Sequence, residues 1–373
     1  MRIVAKVGTS SLTDAAGGID DAMIEKVAGE VVALRAGGHH LVVVTSGAIS
    51  AGLPPLGLDG RRPTDLPTLQ AVAAVGQHKL MARWDAAFGR LDVVPGQVLL
   101  APLDFVDRQQ YLHARQTLER LLELGVVPVV NENDAIADDE IRFGDNDRLA
   151  ALVAHLVSAD LLVLLTDTAG LLTADPRLDG SADLIEEVLE VDAELERMAT
   201  EGGSDRGSGG MASKLAAAKI AAWSGVRAVI AAAGRDGVLA DAAAGRPGVG
   251  TVVRPHDRRL PARKLWIAFA VGASGTVVVD DGAKAALVER GRSLLPAGVV
   301  DVTGGFDAGD AVEIATATGG VFAKGLVRHP AGVVRAWAGR KTNDLPPDMD
   351  HEVVHRDDLV VLPSPVAGRG HAR

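Results

Sequence analysis

Cysteine is absent from this 373-residue chain, which excludes disulfides, a thiolate nucleophile and cysteine-ligated zinc. Aromatic residues make up only 3% of the chain, whereas hydrophobic residues make up 47%. The core must therefore consist of Ala, Val, Leu and Ile, a composition that suits parallel sheets covered by helices. No uninterrupted apolar run reaches about 18 residues, the length that a membrane span requires. The sequence predicts a soluble α/β protein.

Positive charge is also scarce, because 38 Lys and Arg stand against 49 Asp and Glu, a net charge of −11. This balance argues against a nucleic-acid backbone or an anionic membrane as the main partner. The first residues, Met-Arg-Ile-Val-Ala-Lys, run directly into a strand pattern without the apolar region of a signal peptide. We therefore expect a cytoplasmic protein that has small-molecule ligands and no membrane partner.

Residues 1–255 alternate short β-rich runs with longer helical patterns, which is typical of an open, mostly parallel sheet sandwiched by helices. Ligands bind such sheets at the carboxyl ends of the strands. Strands are predicted at Ile3–Val7, Leu41–Thr45, Val93–Leu99, Val126–Val130, Leu161–Thr166 and Arg227–Ala231, and helices at 20–36, 67–88, 107–124, 146–157 and 211–224.

A second domain is predicted after a polar, proline-bearing stretch near 254–264. The predicted ranges are 1–255 for the catalytic domain, 256–272 for a linker, 273–355 for a small mostly-β domain and 356–373 for a C-terminal tail. Short strands between glycine turns characterise the second domain. They are Val277–Asp280, Val299–Val302, Ala311–Ile314 and Val321–Leu326, with one helix near 282–292.

The segment Ser208-Gly-Gly-Met-Ala-Ser-Lys214 places a glycine-rich loop and a lysine at the start of an alanine-rich helix. Glycines allow backbone N–H groups to approach an anion, and the helix N-terminus and the lysine add positive charge. The chain contains no Walker A string. A flexible connection before an ordinary helix is the alternative interpretation.

Further polar groups follow the ends of predicted strands. Lys6 lies in an otherwise apolar strand, so burial beside a phosphate or a carboxylate is expected. Ser46 precedes a run of small residues, which indicates either close approach of a ligand or an N-cap. Thr166-Asp167 ends the most apolar strand in a turn that could contact a nucleotide.

Two clusters, Asn131-Glu-Asn-Asp134 and Gly144-Asp-Asn-Asp147, concentrate amides and carboxylates at one sheet edge. They could bind a substrate ammonium, hold lysines in place or ligate Mg²⁺, although turns alone are often rich in Asn and Asp. The string His351-Glu-Val-Val-His355 matches a zinc protease motif. Its surroundings indicate extended chain rather than helix, so we assign no metal to it.

In combination these motifs resemble the glutamate 5-kinase family of the amino acid kinase superfamily. The resemblance also rests on Val4-Ala-Lys-Val-Gly-Thr-Ser10, Val44-Thr-Ser-Gly-Ala-Ile49, Phe143-Gly-Asp-Asn-Asp147 and Leu164-Leu-Thr-Asp167. Two strings in the second domain, Ser293-Leu-Leu-Pro-Ala-Gly298 and Gly304-Gly-Phe-Asp-Ala-Gly-Asp310, resemble a PUA domain. The similarity extends from residue 1 to the mid-350s.

The resemblance implies ATP-dependent phosphorylation of the γ-carboxylate of L-glutamate, the first step of proline biosynthesis. It implies ATP and Mg²⁺ as cofactors, with Mg²⁺ bound mainly through ATP and no separate metal site on the protein. The residues it implies are catalytic Lys6, Lys214 and Asp147; glutamate-binding Ser46, Asp134 and Asn146; and ATP-binding Lys6, Thr166, Asp167, Ser208, Gly209, Gly210, Met211, Ala212, Ser213 and Lys214. At Ser213 many relatives carry Thr.

The resemblance further implies inhibition by proline, a homo-oligomer (tetramer or dimer) and passage of the product to glutamyl phosphate reductase. N-acetylglutamate or aspartate as the acceptor stays open as an alternative, as does an RNA-binding or regulatory PUA protein. Residues 273–353 carry 8 Lys and Arg against 11 Asp and Glu, a net charge of −3, with only three aromatic residues. This is a poor surface for RNA.

Overall fold

The computed structural model describes residues 1–14, 17–58, 62–105, 107–136, 146–174, 181–201, 210–257, 259–318, 320–346 and 350–362. The chain forms two compact units that divide between Arg259 and Leu260. Within the described ranges no helix combines the length and the apolar character needed to cross a membrane.

The first unit is organised around an eight-stranded sheet. In chain order the strands are β1 Arg2–Val7, β2 His40–Val44, β3 Pro95–Leu100, β4 Val127–Glu132, β5 Leu161–Thr166, β6 Glu187–Val188, β7 Arg227–Ala232 and β8 Thr251–Val253. They lie in the order β3-β4-β2-β1-β5-β7-β8-β6, and the pairs are parallel except β7 with β8. The six predicted strands are confirmed. Strands β6 and β8 escaped prediction because two or three residues carry no readable alternation.

Helices cover both faces of this sheet. They are α1 Thr9–Leu12, α2 Asp21–Ala36, α3 Ala48–Gly52, α4 Leu66–Gly89, α5 Arg108–Glu123, α6 Asn146–Leu156, α7 Ala193–Glu201, α8 Met211–Trp223 and α9 Val238–Ala244. The carboxylates of Asp20, Asp65 and Asp107 cap α2, α4 and α5 by accepting hydrogen bonds from first-turn N–H groups. Such caps satisfy amides that have no partner within the helix. The five predicted helices are confirmed to within a residue or two.

Alternation along β1 decides which side chains face which helices. Ile3, Ala5 and Val7 enter a core with side chains of α2 and α4, including Val27 and Trp84. Lys6 therefore lies on the opposite face, where α6 packs against β1 and α8 packs against β5 and β7. The predicted sandwich is confirmed, and it buries a lysine beneath α6.

The second unit contains a five-stranded sheet in the order β10-β9-β11-β12-β13. Its strands are β9 Gly275–Val279, β10 Val299–Gly304, β11 Ala311–Thr316, β12 Val321–Val327 and β13 Val354–Val361. Its helices are α10 Ala262–Leu265, α11 Asp281–Val288 and α12 Ala331–Trp337, and a π-helical turn covers Trp266–Ala270. Pairing is antiparallel except between β9 and β11. The predicted small mostly-β unit is confirmed.

Both edges of this second unit differ from the predicted ranges. Much of the predicted linker, 256–272, is helical, and buried Leu265 and Ile267 belong to segments that pack against β12 and β13. The predicted tail from 356 is strand up to Val361, because Leu359 and Val360 are buried. The second histidine of the zinc-protease string, His355, lies in β13, which confirms extended chain there.

Helices α3 and α4 touch backbone to backbone through two glycines. A Cβ added to Gly76 would lie 1.7 Å from the carbonyl oxygen of Ala48, and one added to Gly52 would lie 2.0 Å from the carbonyl oxygen of Val72. Real Cβ atoms do not approach that closely, so glycine at both positions is a requirement of packing. This contact fixes how closely α4 packs against α3, the short helix that follows the carboxyl end of β2.

We expect Gly76→Ala to lower the free energy of unfolding by about 3 kcal/mol, because the new methyl group must push α3 and α4 apart. Gly89, at the end of the same helix, has no atom within 4 Å of its added Cβ. Gly89→Ala is the matched control and should be neutral or stabilising, because alanine is the better helix former. Urea denaturation followed by circular dichroism measures both. Equal stability of the two variants would contradict the packing argument.

Candidate active site

The carboxyl ends of neighbouring parallel strands bring the predicted site residues to one edge of the first unit. Strand β1 lies between β2 and β5, and β4 lies beyond β2. Lys6 pairs in register with Val44 of β2 and with Leu164 of β5. Helix α6 begins at Asn146 and α8 begins at Met211 on the face of the sheet that Lys6 occupies. The geometry is that of a crevice outside the carboxyl ends of an open α/β sheet.

A buried ion cluster lies at the centre of this edge. Lys6 Nζ is 2.5 Å from Asp147 Oδ1, and Lys214 Nζ is 3.3 Å from Asp147 Oδ2. The three side chains are 3%, 4% and 0% exposed for Lys6, Lys214 and Asp147, respectively. The hydroxyl of Ser213 adds a hydrogen bond of 2.8 Å to Asp147 Oδ2. The structure thus joins β1, α6 and α8 through one carboxylate.

The charge state of Asp147 follows from two opposing effects. Burial alone would raise the pKa of Asp147, because it penalises the carboxylate. The charges of Lys6 and Lys214, with hydrogen bonds from Lys6 and Ser213, outweigh burial and hold the pKa below 3.8. The carboxylate is therefore ionised at neutral pH, and this one acidic side chain faces two basic ones.

A second polar group lies one residue earlier on α6. Asn146 Nδ2 donates to Ser46 Oγ at 3.0 Å, and Asn146 Oδ1 accepts from the backbone N–H of Glu132 at 3.2 Å. Ser46 follows β2 and is 6% exposed. Helix α6 therefore ties the ends of β2 and β4 with its first residue and holds both lysines with its second. Asp134, the third predicted glutamate-binding residue, lies half-buried in the turn after β4.

The predicted nucleotide-binding residues occupy the neighbouring part of the edge. Thr166, 3% exposed at the end of β5, donates through Oγ1 to Asp167 at 3.0 Å. Gly210 is the N-cap of α8, and its cap is not filled by a side chain. Met211, Ala212 and Ser213 form the first turn of α8, directly before Lys214. Ser208 and Gly209 lie outside the described residues.

This arrangement can bind an anion and stabilise charge that develops on it. First-turn N–H groups of a helix and two lysine ammonium groups favour a phosphate. Cations held in place before reaction lower the barrier of phosphoryl transfer, since they need no reorganisation when charge shifts. Among the described residues, no group of three His, Asp or Glu side chains is placed to hold a metal ion.

Comparison with known proteins agrees with this geometry. Residues 1–232 match the amino acid kinase family. The chain belongs to this family. Residues 275–345, within the second unit, match the PUA domain. As an amino acid kinase the chain uses ATP as its phosphate donor, which fits the cationic cluster at the start of α8.

Several curated relatives share nearly the whole length of this amino acid kinase. A glutamate 5-kinase of Frankia casuarinae is 50% identical over 369 residues, which covers 97% of this chain and 96% of that protein. A glutamate 5-kinase of Mycolicibacterium vanbaalenii is 47% identical, with 96% of each chain covered. The resemblance to the glutamate 5-kinase family is confirmed. Carbamate kinase from Giardia lamblia, solved with AMP-PNP, is similar in fold, with a TM-score of 0.50 and 15% identity over 68% of this chain and 98% of that one.

The sequence did not place α4 at this site, although two of its side chains reach the strand ends. Trp84 Nε1 donates to the buried hydroxyl of Thr45 at 3.0 Å, and Gln77 Oε1 accepts from Asn131 Nδ2 at 2.7 Å. These residues lie inside a long helix, far from any turn or glycine-rich string. The only available signal was Gln77 itself, because an amide on the buried face of an apolar helix requires a hydrogen-bond partner.

We expect Asp147→Asn to lower the free energy of unfolding by about 3–5 kcal/mol at pH 7, because two buried ammonium groups lose their counter-charge. The folded-state pKa lies below 3.8, so the carboxylate stabilises the fold above pH 3.8 and this contribution is lost as the pH falls through the folded-state pKa. The difference in unfolding free energy between wild type and variant should therefore be constant near neutral pH and should narrow as the pH falls towards and below 3.8. Denaturant titrations at several pH values measure it.

Asp21 provides the control, since its ion pair with Arg83 is largely exposed. Asp21→Asn should have a far smaller effect that fades at high salt. A stability gap for Asp147→Asn no larger than that of the control would contradict the buried-cluster interpretation.

Proposed function

We propose that the chain transfers the γ-phosphoryl group of ATP to the γ-carboxylate of L-glutamate, forming L-glutamyl 5-phosphate, the first step of proline biosynthesis. The observation that carries this proposal is the first turn of α6, where Asp147 holds both buried lysines and Asn146 bonds to Ser46. Phosphate-binding and acceptor-binding groups are thereby adjacent. The long, nearly complete similarity to proteins named glutamate 5-kinase supports the choice of acceptor.

No general base is needed for this reaction. A γ-carboxylate has a pKa of about 4.3 and is ionised at neutral pH. One of its oxygens forms the new bond to the γ-phosphorus as the bond from that phosphorus to the β,γ-bridging oxygen breaks, and ADP leaves with that electron pair. The protein must therefore align the two anions and offset their repulsion.

Lys6 and Lys214 are the groups that perform this task in the proposal. Their ammonium groups lie on either side of Asp147, which fixes their positions before substrate arrives and leaves a net positive charge for the transferring group. The ATP-binding set is Lys6, Thr166, Asp167, Ser208, Gly209, Gly210, Met211, Ala212, Ser213 and Lys214. Backbone N–H groups at the start of α8 add to the charge stabilisation.

Mg²⁺ fits this site as a companion of ATP rather than as a resident ion. Mg²⁺ prefers hard oxygen ligands and is commonly held by phosphates with one or two carboxylates. The nearby carboxylate of Asp147 is engaged by two lysines. When bound through the phosphates, the ion neutralises part of their charge.

Glutamate recognition is assigned to Ser46, Asp134 and Asn146. A free α-ammonium group calls for a carboxylate, and Asp134 lies in the turn after β4. We place catalysis in the first unit and the PUA domain within the second unit. Inhibition by proline, assembly as a tetramer or dimer and delivery of the labile acyl phosphate to glutamyl phosphate reductase complete the proposal.

Acyl phosphate formation, trapped with hydroxylamine, tests the acceptor. With ATP and Mg²⁺ we expect product from L-glutamate, little from N-acetylglutamate or L-aspartate, and suppression of the glutamate reaction by proline. Preference for another acceptor would retain the kinase and overturn the substrate. If no acceptor reacts and labelled RNA binds in a salt-dependent manner, the RNA-binding alternative is favoured instead.

Lys6→Met and Lys214→Met should each lower the rate of this reaction by about a hundredfold or more, because each removes a cation from the transferring group while keeping the apolar stem. Lys219 lies on α8 as well but pairs with Glu196, so Lys219→Met serves as the control and should keep its activity. Thermal melting verifies that each variant is folded. A folded Lys214→Met enzyme with normal turnover would refute the role given to that lysine.

A further inference from the structure

Gln77 and Asn131 form a buried amide pair between α4 and the end of β4. Asn131 Nδ2 donates to Gln77 Oε1 at 2.7 Å. Asn131 is 1% exposed and Gln77 is 9% exposed. Gln77 directly follows Gly76, whose missing Cβ lets α4 contact α3. The α4 side of the pair is therefore held where the backbones of α3 and α4 meet.

Each member of this pair keeps one polar atom without a partner. Asn131 Oδ1, an acceptor, and Gln77 Nε2, a donor, are buried and form no hydrogen bond within the described part of the chain. Buried amide atoms in folded proteins are nearly always hydrogen-bonded, because an unsatisfied one costs free energy. A pair that leaves one acceptor and one donor open is suited to a ligand that carries both.

The location of Asn131 connects the pair to the acceptor side of the site. The next residue, Glu132, donates its backbone N–H to Asn146, which in turn bonds to Ser46. The backbone carbonyl of Val130 accepts from the N–H of Thr45, so β4 is also tied to the residue before Ser46. Asn131 thus belongs to the same strand ends as the predicted glutamate-binding residues.

We propose that Gln77 is a positioning residue of the acceptor site: its Oε1 holds the amide of Asn131 so that Oδ1 accepts a hydrogen bond from the α-ammonium group of the amino acid. This inference rests on the proposed function, which supplies an α-amino acid as acceptor. L-glutamate at neutral pH has only its ammonium group to donate, because both carboxylates are ionised, so an open hydrogen-bond acceptor selects that group. Gln77 acts through Asn131 and not on the phosphoryl group.

Gln77→Met keeps the length of the side chain and removes the acceptor for Asn131. We expect it to raise KM for L-glutamate by about tenfold, the loss of one hydrogen bond to a charged group, with KM for ATP unchanged. Gln77→Glu keeps an oxygen for Asn131 Nδ2 and should restore KM to within about threefold of wild type. His78→Ala, an exposed neighbour on α4, is the control and should leave both KM values unchanged.

Glutarate, which lacks the amino group, separates positioning from general damage to the site. Its inhibition constant against glutamate should be the same for wild type and for Gln77→Met. In an Asn131→Ala background, Gln77→Met should add nothing further to KM, because its effect passes through Asn131. If Gln77→Met does not fold, Gln77→Ala takes its place in each comparison.

Any of three results for Gln77→Met would overturn the inference while leaving the proposed function in place. These are a KM for glutamate within twofold of wild type, an equal rise in the KM values for glutamate and ATP, and weaker inhibition by glutarate. If wild type rejects glutamate, the proposed function fails separately. The Gln77 series is then measured with the amino acid that wild type does phosphorylate, and the same outcomes decide the positioning role.

Discussion

Asp147 holds two buried ammonium groups that belong to different parts of the chain, and the first unit depends on this contact for its site. Lys6 comes from the central strand and Lys214 from a helix more than 200 residues later. Burying an ammonium group costs free energy unless an opposite charge lies beside it, and Asp147 supplies that charge to both lysines. The cluster is thus a constraint on stability that also prepares two cations for an anionic ligand, with their desolvation offset during folding rather than during the reaction.

The position of Asp147 on α6 adds a second consequence. Successive residues at a helix start point in different directions, so Asn146 reaches the ends of β2 and β4 while Asp147 reaches β1 and α8. A shift of α6 would therefore disturb both halves of the site together. Such coupling suits phosphoryl transfer, where the alignment of donor and acceptor contributes much of the rate.

Strand-end motifs made most of this site predictable from the sequence. Lys6 stood out as a charge in an apolar strand, and the glycine-rich loop marked the start of α8. Parallel strands then bring their carboxyl ends together whatever the loops contain.

The Gln77–Asn131 and Trp84–Thr45 contacts were not predictable in this way, because they depend on how deeply α4 packs. That depth is set by the approach of Gly76 to Ala48, which no local pattern encodes. The predicted boundaries of the second unit were misplaced for a similar reason. Leu265 and Leu359 become buried core residues only once β12 and β13 pair.

The division of labour within the site bears on substrate choice. In the proposed reaction the Lys6–Asp147–Lys214 cluster acts on the transferring phosphoryl group, which is the same for every carboxylate acceptor, and a carboxylate needs no base. Selectivity must therefore come from residues that contact the parts of the substrate other than the phosphorylated carboxylate. Ser46 and Asn146 are already bonded to each other, so they offer a fixed polar surface rather than free groups, whereas Asn131 and Gln77 each keep a buried atom open. A substrate that forms hydrogen bonds with those two atoms gains free energy, whereas an analogue without the matching group leaves them unsatisfied. Under the positioning role proposed for Gln77, α4 and β4 therefore contribute to the choice of amino acid together with the glutamate-binding residues assigned above.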